Sequence, residues 1–288
     1  MKIATVGVIG AGVMGAGIAQ TIGRAGVPVV LIDSAEGAAD DALRRIGGSI
    51  DRAVAREKIT ESEGQAAFEK ISSGTLDDVK SCDLVIEAAS EDMNVKRSIF
   101  TTLDEITAAT TVLATNTSSL SITEVASVTR DPGRVIGMHF FNPVPVMKLV
   151  EIIPGLLTTE RVTSATREFA TKLGKTPVIV MEGPGFLVNR MLVPMINEAV
   201  GIYADGYATM EAIDDAMQLG ANHPIGPLAL ADLIGTDVCL AIMDVLHTEF
   251  GDSKYRPHPL LRKMVRGGML GRKSGRGFYE YGKEGTTQ

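Results

Sequence analysis

The sequence predicts a doubly wound, mostly parallel α/β sheet followed by an all-helical C-terminal domain. Three observations carry that expectation. Short strands, apolar on both faces, alternate with helical segments as far as Thr115. The first strand runs into Gly10-Ala11-Gly12-Val13-Met14-Gly15 and then into a helix, the context of a Rossmann-type dinucleotide fingerprint. Beyond Gly183-Pro184-Gly185 strand signals nearly vanish, so a boundary is expected between domains 1–183 and 184–288.

Each element has its own warrant. Ile3 to Ile9 is a short β-branched run that the glycines stop. Gly15 to Ala25 is small and apolar and reads as a helix, with Gly26 as its C-terminal cap. Val27 to Ile32 is again almost wholly apolar and closes on Asp33. A strand of that kind belongs inside a parallel sheet covered by helices. Residues 35–70 are polar and helical, with Ile46, Ile50, Ala53 and Val54 at helical spacing and Gly47-Gly48 and Thr60 as breaks. Asp83 to Ala88 is a buried strand, 92–107 a helix and Thr111 to Thr115 another strand. The alternation implies right-handed βαβ crossovers.

After residue 130 the rhythm changes. Arg134 to Phe140 and Lys148 to Ile153 are strand-like, with only Phe141 to Met147 between them. That gap is too short for a helical crossover, so the pair is expected to be antiparallel. Residues 159–173 read as a helix and Thr176 to Met181 as the last strand. In the C-terminal part Val188, Met191, Leu192, Met195, Ala199, Ile202 and Tyr203 form one apolar stripe, with Pro194 inside it. Pro227 opens a further long helix, expected to run to about Phe250.

Composition narrows the function. At 288 residues the chain has room for two domains of about 150 residues each. With 28 basic and 35 acidic residues its net charge is −7, which argues against general affinity for nucleic acid or an anionic membrane. The two cysteines, Cys82 and Cys239, make no disulfide framework, and a reducing cytoplasm is expected. The four histidines contain no His-x-x-x-His pair, and no metal is expected. Residues 3–23 carry no charge and match the ~20 apolar residues of a membrane span. Gly7, Gly10, Gly12, Gly15 and Gly17 divide that stretch, however, and strand, turn and helix is the better reading.

In the fingerprint, Gly10 permits the tight turn, Gly12 lets the backbone approach a pyrophosphate, and Gly15 lets helix pack close to strand. The pyrophosphate would sit on the helix N-terminus, where free N–H groups favour an anion. Asp33, 18 residues after Gly15, can hold the ribose hydroxyls and would repel a 2′-phosphate, and Ser34 brings no compensating cation. NAD is therefore expected over NADP. His139 ends a strand at the functional edge. If its hairpin is symmetric about Pro145, Glu151 stands opposite it. Together they would form a general base whose carboxylate fixes the tautomer and stabilises the imidazolium. The same spacing also fits a structural histidine beside an edge charge. Asn116-Thr117-Ser118-Ser119, at another strand end, fits a turn with a helix cap as well as a site. Asn189, on the stripe side of its helix, needs partners or a ligand. Arg52, Arg56 and Lys58 gather positive charge that could meet a phosphate-rich substrate or form a solvated face.

The runs GVIGAGVMGAGIAQ, NTSSLSIT, HFFNPVPVMKLVEI, GFLVNRML, NHPIGPLALADLIGTD and GRKSGRGFYEY resemble the short-chain L-3-hydroxyacyl-CoA dehydrogenases, closest to the bacterial 3-hydroxybutyryl-CoA subgroup. The likeness spans residues 3 to about 281. It implies NAD-linked, reversible oxidation of the 3-hydroxyl of a short acyl-CoA in fatty-acid metabolism. It further implies that His139 is the base, Glu151 its charge partner, and Ser118 and Asn189 the groups holding the substrate oxygen. Glu91, Lys96, Ser118, Asn142 and Lys273 match positions near the cofactor, beside Gly10, Ala11, Gly12, Val13, Met14, Gly15 and Asp33. Ser49 and Arg56 match coenzyme A contacts, with arginine where the family often has lysine, and Arg52 lies beside them. A homodimer through the helical domain is implied too. Two rivals keep the glycine loop: a dehydrogenase of free hydroxy acids, and a non-catalytic NAD-responsive binding protein.

Overall fold

The computed structural model describes residues 1–282. The chain divides into two compact units, Met1–Gly183 and Pro184–Gln288. The first holds, in order, β1 (Val6–Ile9), α1 (Val13–Arg24), β2 (Val29–Ile32), α2 (Ala38–Ala55), α3 (Glu61–Phe68), β3 (Ile71–Ser73) and β4 (Leu84–Glu87). There follow α4 (Met93–Ile106), β5 (Val112–Thr115), α5 (Ile122–Ala126), β6 (Val135–Phe140), β7 (Leu149–Pro154), α6 (Glu160–Lys172) and β8 (Thr176–Ile179). They build one sheet of eight strands in the order β3-β2-β1-β4-β5-β6-β7-β8. From β3 to β6 every pairing is parallel, β7 is antiparallel to β6, and β8 is parallel to β7.

Burial explains the sheet. Every residue of β1, β4, β5 and β6 is buried, as central strands covered on both faces require. Val8, Leu31, Ile86, Ala114 and Met138 share one apolar cluster with Ile18 and Ile22 of α1 and Ile46 and Ile50 of α2. Two details differ from the sequence reading. The expected break at Gly47-Gly48 is absent, and α2 runs straight through both glycines. The break falls at Thr60, whose side chain and Glu63 form a reciprocal capping box that starts α3. The strand β3 gave no signal, being three residues long with two of them exposed.

The second unit is helical: α7 (Val188–Ala204), α8 (Met210–Asp215) running on into a π-helical turn, α9 (Pro227–Ile234), α10 (Thr236–Phe250) and α11 (Pro259–Arg266). Its core gathers Val193, Ile196, Val200, Leu228, Ile242, Met243, Leu246 and Leu261. The single helix expected from Pro227 to Phe250 is two helices. Gly235 divides them with φ +107°, a conformation no helix contains and side chains avoid. Two buried carboxylates tie this unit together. Asp214 accepts from the Leu228 and Ala229 amides and the Tyr279 hydroxyl, and Asp232 from the Phe278 and Tyr279 amides and the Tyr281 hydroxyl. Burial pushes the Asp232 carboxyl above its ordinary range in spite of those bonds. Among the described residues no helix is long and apolar enough to cross a membrane.

Candidate active site

The glycine loop joins β1 to α1 as its sequence requires. A Cβ on Gly10 would fall 2.6 Å from the Ala88 carbonyl oxygen, and one on Gly15 would fall 1.8 Å from that of Gly10. A Cβ on Gly12 would meet nothing within 4 Å, so the space above that residue is open to an approaching group. The first turn of α1, beginning at Val13 and Met14, has neither a side-chain cap nor an acidic residue, leaving its N–H groups suited to an anion. Asp33 stands at the end of β2, accepting from the Ala11 amide at 2.7 Å and the Ala35 amide at 2.9 Å. The Ala11 peptide is gripped on its other side by Arg45, which donates to the carbonyl at 2.8 Å. A cleft of about 1160 Å³ opens here, lined among others by Gly10, Gly12, Asp33, Ala89, Ser90 and Ser98. Open backbone, an uncapped helix start and a carboxylate at the end of β2 fit a dinucleotide cofactor.

Farther along the strand ends lies a continuous polar network. Glu87, the last residue of β4, is fully buried and accepts Lys96 on both oxygens, at 2.8 and 2.9 Å. The Ala89 amide and the Thr115 hydroxyl bond the same carboxylate. Lys96 also reaches Glu91 at 3.4 Å. Glu91 in turn accepts from the Thr117 hydroxyl and from the amide and hydroxyl of Ser118. Burial raises the Glu91 carboxyl, but the Lys96 charge and these bonds outweigh it and hold the group below its ordinary range. Lys96 is itself only 1% exposed, so its influence on a cofactor would run through Glu91.

The β6–β7 hairpin brings together the chemical pair. Its register sets His139 opposite Glu151, and His139 Nδ1 lies 2.7 Å from Glu151 Oε2. Both are buried, and the Phe141 ring leans on the imidazole with centroids 4.4 Å apart. An ionised carboxylate can only accept, so Nδ1 carries the hydrogen and Nε2 the lone pair in the neutral ring. The Asn116 side chain accepts from the Phe140 amide at 2.9 Å, fastening the β5 end to the same strand. The loop closing the hairpin holds exposed Asn142, and buried Lys175 donates to its Val144 and Met147 carbonyls.

The remaining expected site residues stand on other elements. Ser49, Arg52 and Arg56 follow one another along α2 and its C-terminal end, with the Ser49 hydroxyl accepting from Gln20. Asn189 stands in the first turn of α7, and Lys273 pairs with Asp237 at 2.6 Å in the helical unit. Sequence reasoning passed over Glu87, Arg45 and Lys175. The signal for Glu87 was a lone acid in an otherwise apolar strand; Arg45 and Lys175 gave none. Among the described residues no cluster of His, Cys, Asp or Glu could hold a metal.

Comparison with known proteins accounts for both units. Residues 5–183 match the 3-hydroxyacyl-CoA dehydrogenase NAD binding domain, and residues 185–281 match the 3-hydroxyacyl-CoA dehydrogenase C-terminal domain. A 3-hydroxybutyryl-CoA dehydrogenase of Clostridioides difficile is 55% identical over 284 residues, covering 98% of this chain and all of that one. The human mitochondrial hydroxyacyl-coenzyme A dehydrogenase is 42% identical, over 95% of this chain and 90% of that one. The crystal structure of (S)-3-hydroxybutyryl-CoA dehydrogenase from Ralstonia eutropha superposes with a TM-score of 0.95 at 50% identity, covering 98% of this chain and all of that one. The chain belongs to the 3-hydroxyacyl-CoA dehydrogenase family, an NAD-dependent family of oxidoreductases.

Proposed function

We propose that this protein oxidises the 3-hydroxyl of (S)-3-hydroxyacyl-CoA reversibly, with the four-carbon 3-hydroxybutyryl-CoA and acetoacetyl-CoA as its substrate pair. The observation that carries the mechanism is the 2.7 Å contact between His139 Nδ1 and Glu151, which leaves Nε2 as the basic nitrogen. His139 takes the hydroxyl proton at Nε2 as the C3–O bond becomes a carbonyl, and Glu151 stabilises the imidazolium so formed. NAD, when bound, supplies the acceptor for the hydride that leaves C3. Gly10 to Gly15 and Asp33 hold that cofactor, and Glu91 keeps Ser118 oriented. Ser118 and Asn189 hold the substrate oxygen, while Ser49, Arg52 and Arg56 meet the coenzyme A phosphates. In the reduction direction the imidazolium returns its proton to the ketone oxygen.

The helical unit exposes large apolar side chains, among them Leu219, Tyr207 and Met191, which suit a homodimer interface. Both cysteines are buried, with thiols pushed up to about 11 and about 12, as suits a cytoplasmic protein. The test is NADH consumption with acetoacetyl-CoA, run beside NADPH and beside free acetoacetate. Fast turnover of the thioester with NADH alone is expected. Turnover of the free acid but not the thioester would transfer the reading to free hydroxy acids.

A further inference from the structure

A second cleft in the sheet unit, of about 420 Å³, lies where the end of α1, the β6–β7 loop and the α6–β8 turn meet. Four of its lining residues are cations: Arg24, Lys148, Lys172 and Lys175. No carboxylate lines it, and none of the four forms an ion pair among the described residues. The acid coupled to Arg24 is Glu63, on the exposed surface of α3. In a chain of net charge −7 this is a local reversal of sign.

Helix ends favour cations, which accounts for Arg24 and Lys172, each the last residue of its helix. It does not account for Lys148 in the hairpin, nor for Lys175. That lysine is only 8% exposed, and two of its three N–H donors go to the Val144 and Met147 carbonyls. Burial draws the Lys175 ammonium below its ordinary range, and the Arg24 charge adds to the effect. No carboxylate within the cleft offsets the repulsion among the four, and a counter-ion of matching size would reduce it.

We propose that this cleft binds a phosphate-type anion, a phosphomonoester or diphosphate, which braces the loop joining the His139 and Glu151 strands. The ligand bridges α1, the hairpin loop and the start of β8, of which the Lys175 side chain already ties the last two. Two sources offer this chemistry: a free phosphorylated metabolite and the phosphates of coenzyme A itself.

The test is thermal unfolding of the intact protein in saturating NADH, which fills the glycine loop, during titration with inorganic pyrophosphate against potassium chloride of equal ionic strength. At about ten times the dissociation constant a rise of roughly 3–6 °C in Tm is expected. The double variant Arg24→Gln/Lys172→Gln, changed only at exposed positions, should lose the rise while keeping its turnover. An equal rise in wild type and variant, or none in either, overturns the proposal. If free coenzyme A abolishes the pyrophosphate effect, and its own effect is lost in the double variant, the coenzyme is the source. If the two effects add, the site serves a separate metabolite.

Discussion

Glu87 and Glu151 are both fully buried glutamates in strands of the same sheet, yet their surroundings commit them to different work. Glu87 faces the Lys96 ammonium, and the Ala89 amide and Thr115 hydroxyl take up its other lone pairs. Such a carboxylate is committed to structure, because any change of charge would leave Lys96 stranded in a dry interior. Glu151 faces an imidazole, a ring that turns one N–H to the carboxylate and keeps a basic lone pair on its other nitrogen. In the proposed mechanism the same kind of buried acid therefore supports a base. Burial does not separate the two; the chemistry of the partner does.

The largest expected effect comes from removing the imidazole. His139→Gln should lower kcat by about 10²–10⁴-fold, the usual contribution of a positioned base, with NADH affinity little altered. Steady-state rates and a fluorescence titration of NADH check both halves. A variant that kept a tenth of normal turnover would return His139 to a structural role. Exchanging the acids then separates the two sites. Glu151→Gln should lose rate with little loss of stability, because the amide oxygen can still accept the His139 Nδ1 hydrogen. Glu87→Gln should instead lose about 3–5 kcal/mol of stability, the scale for breaking a buried pair. Urea unfolding beside kcat per folded molecule reads this directly, and identical behaviour of the two variants would dissolve the distinction.

The active half of this contrast was legible in the sequence, and the structural half was not. Hairpin symmetry about Pro145 fixes which residue faces His139, since an antiparallel register is local arithmetic, and the structure has that register. The glycine loop is legible for the same reason, as strand, turn and helix follow one another without a gap. Glu87 needs a helix to fold back over its own strand end before Lys96 can reach it. Gly235 looked like one more residue in an apolar helix, because only its φ of +107° reveals the break. Arg45 on the Ala11 carbonyl joins residues 34 apart on different elements, and charge patterning along α2 says nothing about where its guanidinium goes.

The two units also differ in how acid should affect them. In the sheet unit burial works against the Asp104 carboxylate, but bonds from Arg134 and Arg130 prevail and hold it below its ordinary value of 3.8. Its stabilisation is therefore complete above that value and is lost as pH falls through the folded pKa. In the helical unit Asp232 is raised above 3.8, so its ionisation opposes folding. That penalty is absent below the unfolded value and grows as pH rises towards the folded one. Hydrogen exchange between pH 6 and pH 3 should show α4 and the start of β6 losing protection while the Asp232 anchor does not. Asp104→Asn should flatten the response of the sheet unit; an unchanged acid response would assign it to other carboxylates.

The smallest effect tests the burial argument most narrowly, because it concerns the next residue along. Lys96 and Arg97 are neighbours on α4, and each meets a glutamate. Lys96 and Glu87 are out of water, whereas Arg97 and Glu124 are 44% and 45% exposed at 3.0 Å. An exposed pair gains little in high dielectric and spends side-chain entropy to form, so Arg97→Ala should change stability by no more than about 1 kcal/mol. That difference should shrink further in molar salt, where the screening length falls to about 3 Å. Lys96→Met should remain strongly destabilising in the same salt, because ions do not enter the interior to replace the lost charge. If the two variants lost comparable stability, or responded alike to salt, burial would not be what makes the Glu87 pair structural.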